Sequence, residues 1–320
     1  MLDFSKCSLY RLSSKKGLKY ILHINDNKWF CQEFVSNYIT PYIDHTKNRL
    51  IEAPDVQLKL IQRRIKNCLG MITVPDNVFS GIKKRSYIDN VNLHAKNSSR
   101  NLFKIDFSAF FPSISRDRVY SFFRKDLECS PDIAAILTNF TTIDLDYSKR
   151  STTEIDAFLR SKGIIEHRHL LSGSPASQIL SYLVNHEMFD EMQKIADHNH
   201  MTMSIYVDDV FFSSEHRIPK ATRESILRII NKFQFRVSKN KVGRFHKGDY
   251  KKVTGVIIDS EGRTKPCNLI RKNIIEAFYK LKEDPSDEKT RLRLRGLLIA
   301  IRQVDSSAFP NIYSFAFKKP

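Results

Sequence analysis

The sequence predicts an α+β fold on three patterns. Apolar residues recur at helical spacing over 58–69, strand alternation runs through 102–107 and 203–213, and two further helical stretches occupy 268–282 and 289–303. With 320 residues, 41% of them hydrophobic, and 22 Phe and 12 Tyr, the chain has apolar area for one large core or two to three subdomains. No internal repeat, low-complexity tract or Gly/Ser/Pro-rich linker divides it, so one continuous multi-lobed body is expected.

In chain order, the first clear element follows Ala53-Pro54-Asp55. Leu58, Ile61, Ile65 and Leu69 form its apolar face, Lys59, Arg63 and Lys66 its basic face, and Gly70 supplies a stop. In 102–107, Phe103, Ile105 and Phe107 alternate with Leu102, Lys104 and Asp106, which puts Asp106 on the sheet face opposite an aromatic one. The segment from Thr141 to His169 reads as a polar, irregular surface excursion, with His167 and His169 in loops. Pro175 is placed to begin a helix carrying Ile179, Leu183 and Val184. The strands on either side of Asp208-Asp209 read as a hairpin turning on two carboxylates. Val253 to Ile258 reads as one short strand, and Glu283 to Asp287 separates the two C-terminal helices.

The formal net charge is +18, and it is unevenly placed. Between Arg217 and Pro320, 25 Lys+Arg stand against 10 Asp+Glu, an excess of +15. That density of cations on a folded segment is the footprint of a polyanion, with nucleic acid ahead of anionic lipid because no lipidation signal or amphipathic basic terminus is present. The apolar run Leu297 to Ile301 is far too short for a membrane span and the opening residues lack a signal-peptide pattern, so a cytoplasmic protein without a membrane partner is expected. The five cysteines are scattered, without a CxxC pair, and read as reduced, mostly buried thiols.

Asp106, Asp208 and Asp209 belong together in the argument. An Asp in an apolar strand is unfavourable unless it is paired or binds a cation, and adjacent carboxylates repel each other. If the two strands are neighbours in one sheet, Asp106 and Asp208 can bind two divalent ions between them, an arrangement suited to in-line phosphoryl transfer. Magnesium matches hard carboxylate oxygens and substrate phosphates. On spacing alone, a polar hairpin turn and an edge-strand Asp account for the same residues.

The surrounding residues separate these readings. Phe103-Lys104-Ile105-Asp106-Phe107-Ser108-Ala109-Phe110-Phe111, then Leu171-Ser172-Gly173-Ser174-Pro175-Ala176-Ser177, then Tyr206-Val207-Asp208-Asp209 resemble, in order, three motifs of reverse transcriptases. Asn90-Val91-Asn92-Leu93-His94 and Val253-Thr254-Gly255 resemble the two signatures of the bacterial retron branch, with Val91 where Ala is usual. The resemblance reaches from about Arg49 to the C-terminus. It implies a right-hand polymerase with fingers at 49–101, a palm at 102–258 carrying a fingers-side excursion at about 125–170, and a basic helical thumb at 259–320, after an N-terminal extension at 1–48.

The resemblance also implies roles. Asp106, Asp208 and Asp209 would be catalytic and hold two Mg²⁺ ions, with Mn²⁺ as a substitute. Phe111 would face the sugar C2′ position and favour dNTPs, with core packing as the competing role. Arg49, Lys84, Arg85, Ser172, Gly173 and Lys241 would hold the nucleotide, with a solvated loop as the alternative for Lys84 and Arg85, and Lys239 competing with Lys241. Asn90, His94, Val253, Thr254, Gly255, Arg271, Lys272, Arg291, Arg293 and Arg295 would contact RNA, although Asn90 and His94 could instead satisfy buried groups.

Ser172 stands where the family usually has Gln, Gln178 where Pro is common, and Val207 where retron enzymes often have Ala. The implied partners are a cognate structured non-coding RNA, its covalently joined DNA product (msDNA), dNTPs and a separate effector protein acting in defence against phage. A noncatalytic RNA-binding scaffold, or a polymerase that uses ribonucleotides or no template, is the alternative.

Overall fold

The computed structural model describes residues 2–96, 99–148, 152–238 and 242–318. The N-terminal part holds helices α1 (Lys15–Leu22) and α2 (Gln32–Ser36), then an antiparallel hairpin of β1 (Ile39–Asp44) and β2 (Arg49–Pro54). Cys7, Leu9, Leu18, Leu22, Ile24 and Val35 are buried in the main core, so this region is part of the body. The boundary expected at 48/49 falls inside the β1–β2 hairpin, because Asp44 and Arg49 are its last paired residues.

Helix α3 (Val56–Leu69) forms as expected. The Asp55 side chain accepts the Leu58 amide at 3.0 Å, and Leu58, Ile61, Ile65 and Leu69 turn inward. A capping box between Ser86 and Asp89 starts α4 (Tyr87–His94), which leads to strand β3 (Asn101–Asp106). The expected surface excursion is largely ordered: α5 (Arg116–Ser121) and α6 (Pro131–Thr141) lead into β4 (Thr142–Asp144), then α7 (Thr153–Ser161) and β5 (Arg168–Leu170), with β4 and β5 paired antiparallel. His169 is therefore a fully buried strand residue rather than a loop residue. A three-residue strand among polar neighbours is too short to give a period-two signal.

Helices α8 (Ser177–Val184) and α9 (His186–His198) precede strands β6 (Thr202–Tyr206) and β7 (Asp209–Ser214). After α10 (Lys220–Lys232), β8 (Gly243–Phe245) completes a four-stranded antiparallel sheet in the order β6-β7-β3-β8. One face of this sheet sends Phe103, Ile105, Val210 and Phe212 into the main core. Each side chain of that size, buried completely, contributes about 1.5–3 kcal/mol.

The opposite face carries a small cluster of Leu102 and Phe211 with Val91 of α4 and with Val253, Val256 and Ile258. The latter three sit in a second sheet, β9 (Lys251–Val253), β10 (Val256–Ile258) and β11 (Thr264–Pro266). The single strand expected over 253–258 is thus a hairpin. Thr254 (φ 42°) and Gly255 (φ 88°) form a two-residue loop with both φ values positive, which reverses the chain.

Three helices, α11 (Asn268–Glu283), α12 (Glu288–Arg302) and α13 (Pro310–Phe317), close over their own core of Ile274, Leu281, Leu294, Leu298 and Ile301. This helical unit begins at 268 rather than 259, because β11 still pairs with β10. Among the described residues no helix is long and apolar enough to cross a membrane, and all five cysteines are free thiols.

Candidate active site

Asp106 ends β3 and Asp209 begins β7, and the two are cross-strand partners in the register. Beyond them the Phe107 amide donates to the Asp208 carbonyl at 3.0 Å, and the Ser238 amide to the Asp106 carbonyl at 3.0 Å. Both backbone bonds fix the strand end that carries the carboxylates. The turn between β6 and β7 consists of Val207 and Asp208, not of the two aspartates, since Tyr206 pairs with Asp209. Val207 has φ 57°, a left-handed conformation costly for a β-branched residue, and its amide is held by the Ser80 hydroxyl at 2.8 Å.

Asp106 and Asp208 line a cavity of about 410 Å³ together with Lys47, Arg49, Phe111, Lys162 and Ser172. Asp209 is on the sheet face that carries Lys104, whose Nζ lies 2.9 Å from its Oδ1. Burial pushes the Asp209 carboxyl up to about 6, against the pull of Lys104. Among the described residues no three acidic, His or Cys side chains surround a single point closely enough to bind a cation alone. Two carboxylates facing one cavity nevertheless fit magnesium, which uses one or two protein carboxylates and completes its shell with water and substrate phosphates. Asp209, expected as a third ligand, is ion-paired to Lys104.

Of the residues expected to hold nucleotide, Arg49 and Phe111 line the cavity. Phe110 borders the cavity as well but is almost wholly buried, its ring stacked 4.9 Å from Phe107 and tilted 5.5 Å from Phe235. Ser172 lines the cavity too, but its hydroxyl accepts the Glu52 amide at 3.0 Å. Gly173 follows because a Cβ there would collide with the Glu52 carbonyl oxygen. Arg85, expected to hold nucleotide, instead directs its guanidinium to the carbonyls of Val74, Pro75 and Val78 and the Asp76 carboxylate, so it ties a loop together. Lys84 is exposed and does not line the cavity. Lys241 and its competitor Lys239 lie outside the described residues.

The two retron-like signatures meet on the sheet face opposite the main core, the face that also carries Lys104 and Asp209. His94 is buried between Ser213 (2.8 Å) and Ser204 (2.7 Å), and burial lowers its pKa to about 3, so the ring is neutral. Asn90 is fully buried, and among the described residues its side-chain amide has no hydrogen-bond partner. The Thr254 hydroxyl donates to the Tyr87 carbonyl at 3.1 Å, Val253 is buried, and Gly255 is exposed at the hairpin tip. Asn90, His94 and Val253 therefore pack α4 and the β9–β10 hairpin on the sheet and offer no surface to RNA.

In the C-terminal helices, Arg295 donates to the Ala316 carbonyl at 2.7 Å and Arg291 to that of Pro285 at 2.9 Å, so both brace the helical unit. Arg271 pairs with Asp305 and Lys272 with Glu276, while Arg293 is exposed. Lys47 and Lys162 escaped notice in the sequence because nothing local marks them; they reach the cavity through β1–β2 and α7.

Two carboxylates from separate chain segments thus face one cavity lined by Lys47, Arg49 and Lys162, an arrangement compatible with phosphoryl transfer. The family model described as reverse transcriptase (RNA-dependent DNA polymerase) matches residues 41–267. Retron Ec83 reverse transcriptase of Escherichia coli is 24% identical over 256 residues, which covers 78% of this chain and 77% of that enzyme. Retron Mx162 reverse transcriptase of Myxococcus xanthus is 23% identical over 328 residues, covering 93% and 65%. Retron Se72 reverse transcriptase of Salmonella heidelberg (strain 579083-10) is 33% identical over 99 residues, covering 31% and 26%. The chain belongs to the reverse transcriptase family and is an RNA-directed DNA polymerase, similar to the bacterial retron enzymes.

Proposed function

We propose that this enzyme copies a structured non-coding RNA into a short DNA that stays covalently joined to RNA, with Asp106 and Asp208 as the catalytic pair. The observation that carries the reading is their position on one cavity with Arg49 and Phe111. Two divalent ions, magnesium or manganese, would lower the pKa of the attacking hydroxyl and offset charge on the reacting phosphates. Asp106 and Asp208 would hold them. Arg49, with Lys47 and Lys162, would draw in the triphosphate, and the ring of Phe111 would crowd a ribose 2′-hydroxyl.

Asp209 supports the pair from the side, its charge balanced by Lys104. In this reading the four-stranded sheet is the palm, the β1–β2 hairpin and the region through residue 101 are the fingers, and the C-terminal helices with their excess of cations are the thumb. Arg271, Lys272 and Arg293 then offer the RNA backbone exposed or partly exposed charge. The resemblance to retron enzymes further implies a role with a separate effector in defence against phage. Purifying the chain from its host and extracting its bound nucleic acid tests this reading: a branched RNA–DNA species supports it, and RNA without Mg²⁺- and dNTP-dependent extension contradicts it.

A further inference from the structure

Glu52 is fully buried on β2, three residues beyond Arg49, and all of its polar reach goes to the segment before α8. Its Oε1 lies 2.6 Å from His169 Nε2, its Oε2 accepts the Ser172 amide at 2.8 Å, and its own amide donates to Ser172 Oγ at 3.0 Å. Its carbonyl occupies the space that a side chain on Gly173 would need. His169 Nδ1 has no partner among the described residues, so the ring's one polar contact there is with Glu52.

A buried carboxylate held by so few donors is an expensive way to join two segments, since an apolar pair of similar volume gives equal or greater stability. What the carboxylate adds is direction. Four contacts from one residue fix the register of β2 against 169–173, and both segments send a residue, Arg49 and Ser172, into the cavity.

We propose that Glu52 is a positioning residue for the incoming nucleotide: it locks the Arg49 hairpin to the Ser172–Gly173 loop, with Ser172 serving as the loop's half of the lock. The inference rests on the cavity being the nucleotide site. It also explains why a short hydroxyl suffices at 172, where the family usually has Gln: the side chain is spent on β2.

Single-nucleotide incorporation on a preformed RNA template–DNA primer tests this, with wild type, Glu52→Gln, Ser172→Ala and the double variant. Glu52→Gln keeps the volume and removes the charge, and should raise KM for dNTP about tenfold with RNA affinity unchanged. Ser172→Ala should raise KM about two- to threefold, and the double variant should be no worse than Glu52→Gln alone. Unchanged KM, losses that multiply in the double variant, or a parallel fall in RNA affinity overturns the proposal. If Glu52→Gln does not fold, Ser172→Ala decides alone, because it leaves the other Glu52 contacts in place. A wild-type enzyme that incorporates no dNTP at all contradicts the site assignment itself, a different result.

Discussion

Asp106 and Asp209 face each other across β3 and β7, yet only Asp106 lines the cavity; Asp209 is held 2.9 Å from Lys104. The pairing separates two carboxylates of one motif by task. Asp208 sits in the turn and reaches the cavity, while Asp209 is locked into the ladder. Lys104 and Asp209 are both largely buried, at 22% and 18% exposure, so removing one leaves the other uncompensated. Lys104→Met should therefore destabilise the fold by about 1–3 kcal/mol, and Lys104→Met with Asp209→Leu by less than the sum, measured by denaturant unfolding. Additive losses would show that the pair is not coupled.

Arg49 and Arg85, which look alike in the sequence, should behave oppositely. Arg49→Ala should raise KM for dNTP about tenfold without changing Tm. Arg85→Ala frees three carbonyls and should cost about 1–3 kcal/mol of stability with KM unchanged. Steady-state kinetics and a melting curve on each variant check both, and a KM effect for Arg85→Ala would return it to the nucleotide.

Phe111→Ala should admit ribonucleotides, raising NTP relative to dNTP incorporation at least tenfold with little change in Tm, because Phe111 is only partly buried. An unchanged sugar preference accompanied by lost stability would make Phe111 a core residue.

His94 gives a pH dependence with a definite sign. Its pKa falls from 6.5 to about 3 through burial, so the unfolded chain binds the proton more readily than the folded one. The stability this neutral ring brings is complete above pH 6.5 and is lost as pH falls from there towards 3. His94→Gln should lower stability by about 2–4 kcal/mol at pH 7 and flatten the decline between pH 6.5 and 4. Thermal melts across that range measure it, and identical slopes in both proteins would refute the assignment.

The legible parts of this fold were the long ones. Leu58 to Leu69 and Phe103 to Phe107 show their periods because one face of each is fully buried, and the C-terminal helices do the same. Asp106 and Asp208 stood out because aspartate is rare among buried aromatics. Short strands such as β4 and β5 carry no period, and the Thr254-Gly255 reversal hides inside a β-branched run. The contacts of Glu52 join segments 117 to 120 residues apart, and those of Arg85 depend on the fold of a loop 7 to 11 residues upstream. No local pattern announces them.

RNA-templated primer extension by the Asp208→Asn variant tests the central claim most directly. The account predicts that extension with dNTPs and Mg²⁺ falls at least a thousandfold while RNA affinity and Tm stay close to wild type, because charge is removed and shape is kept. Near-normal extension by that variant would contradict the assignment of Asp106 and Asp208 as the catalytic pair.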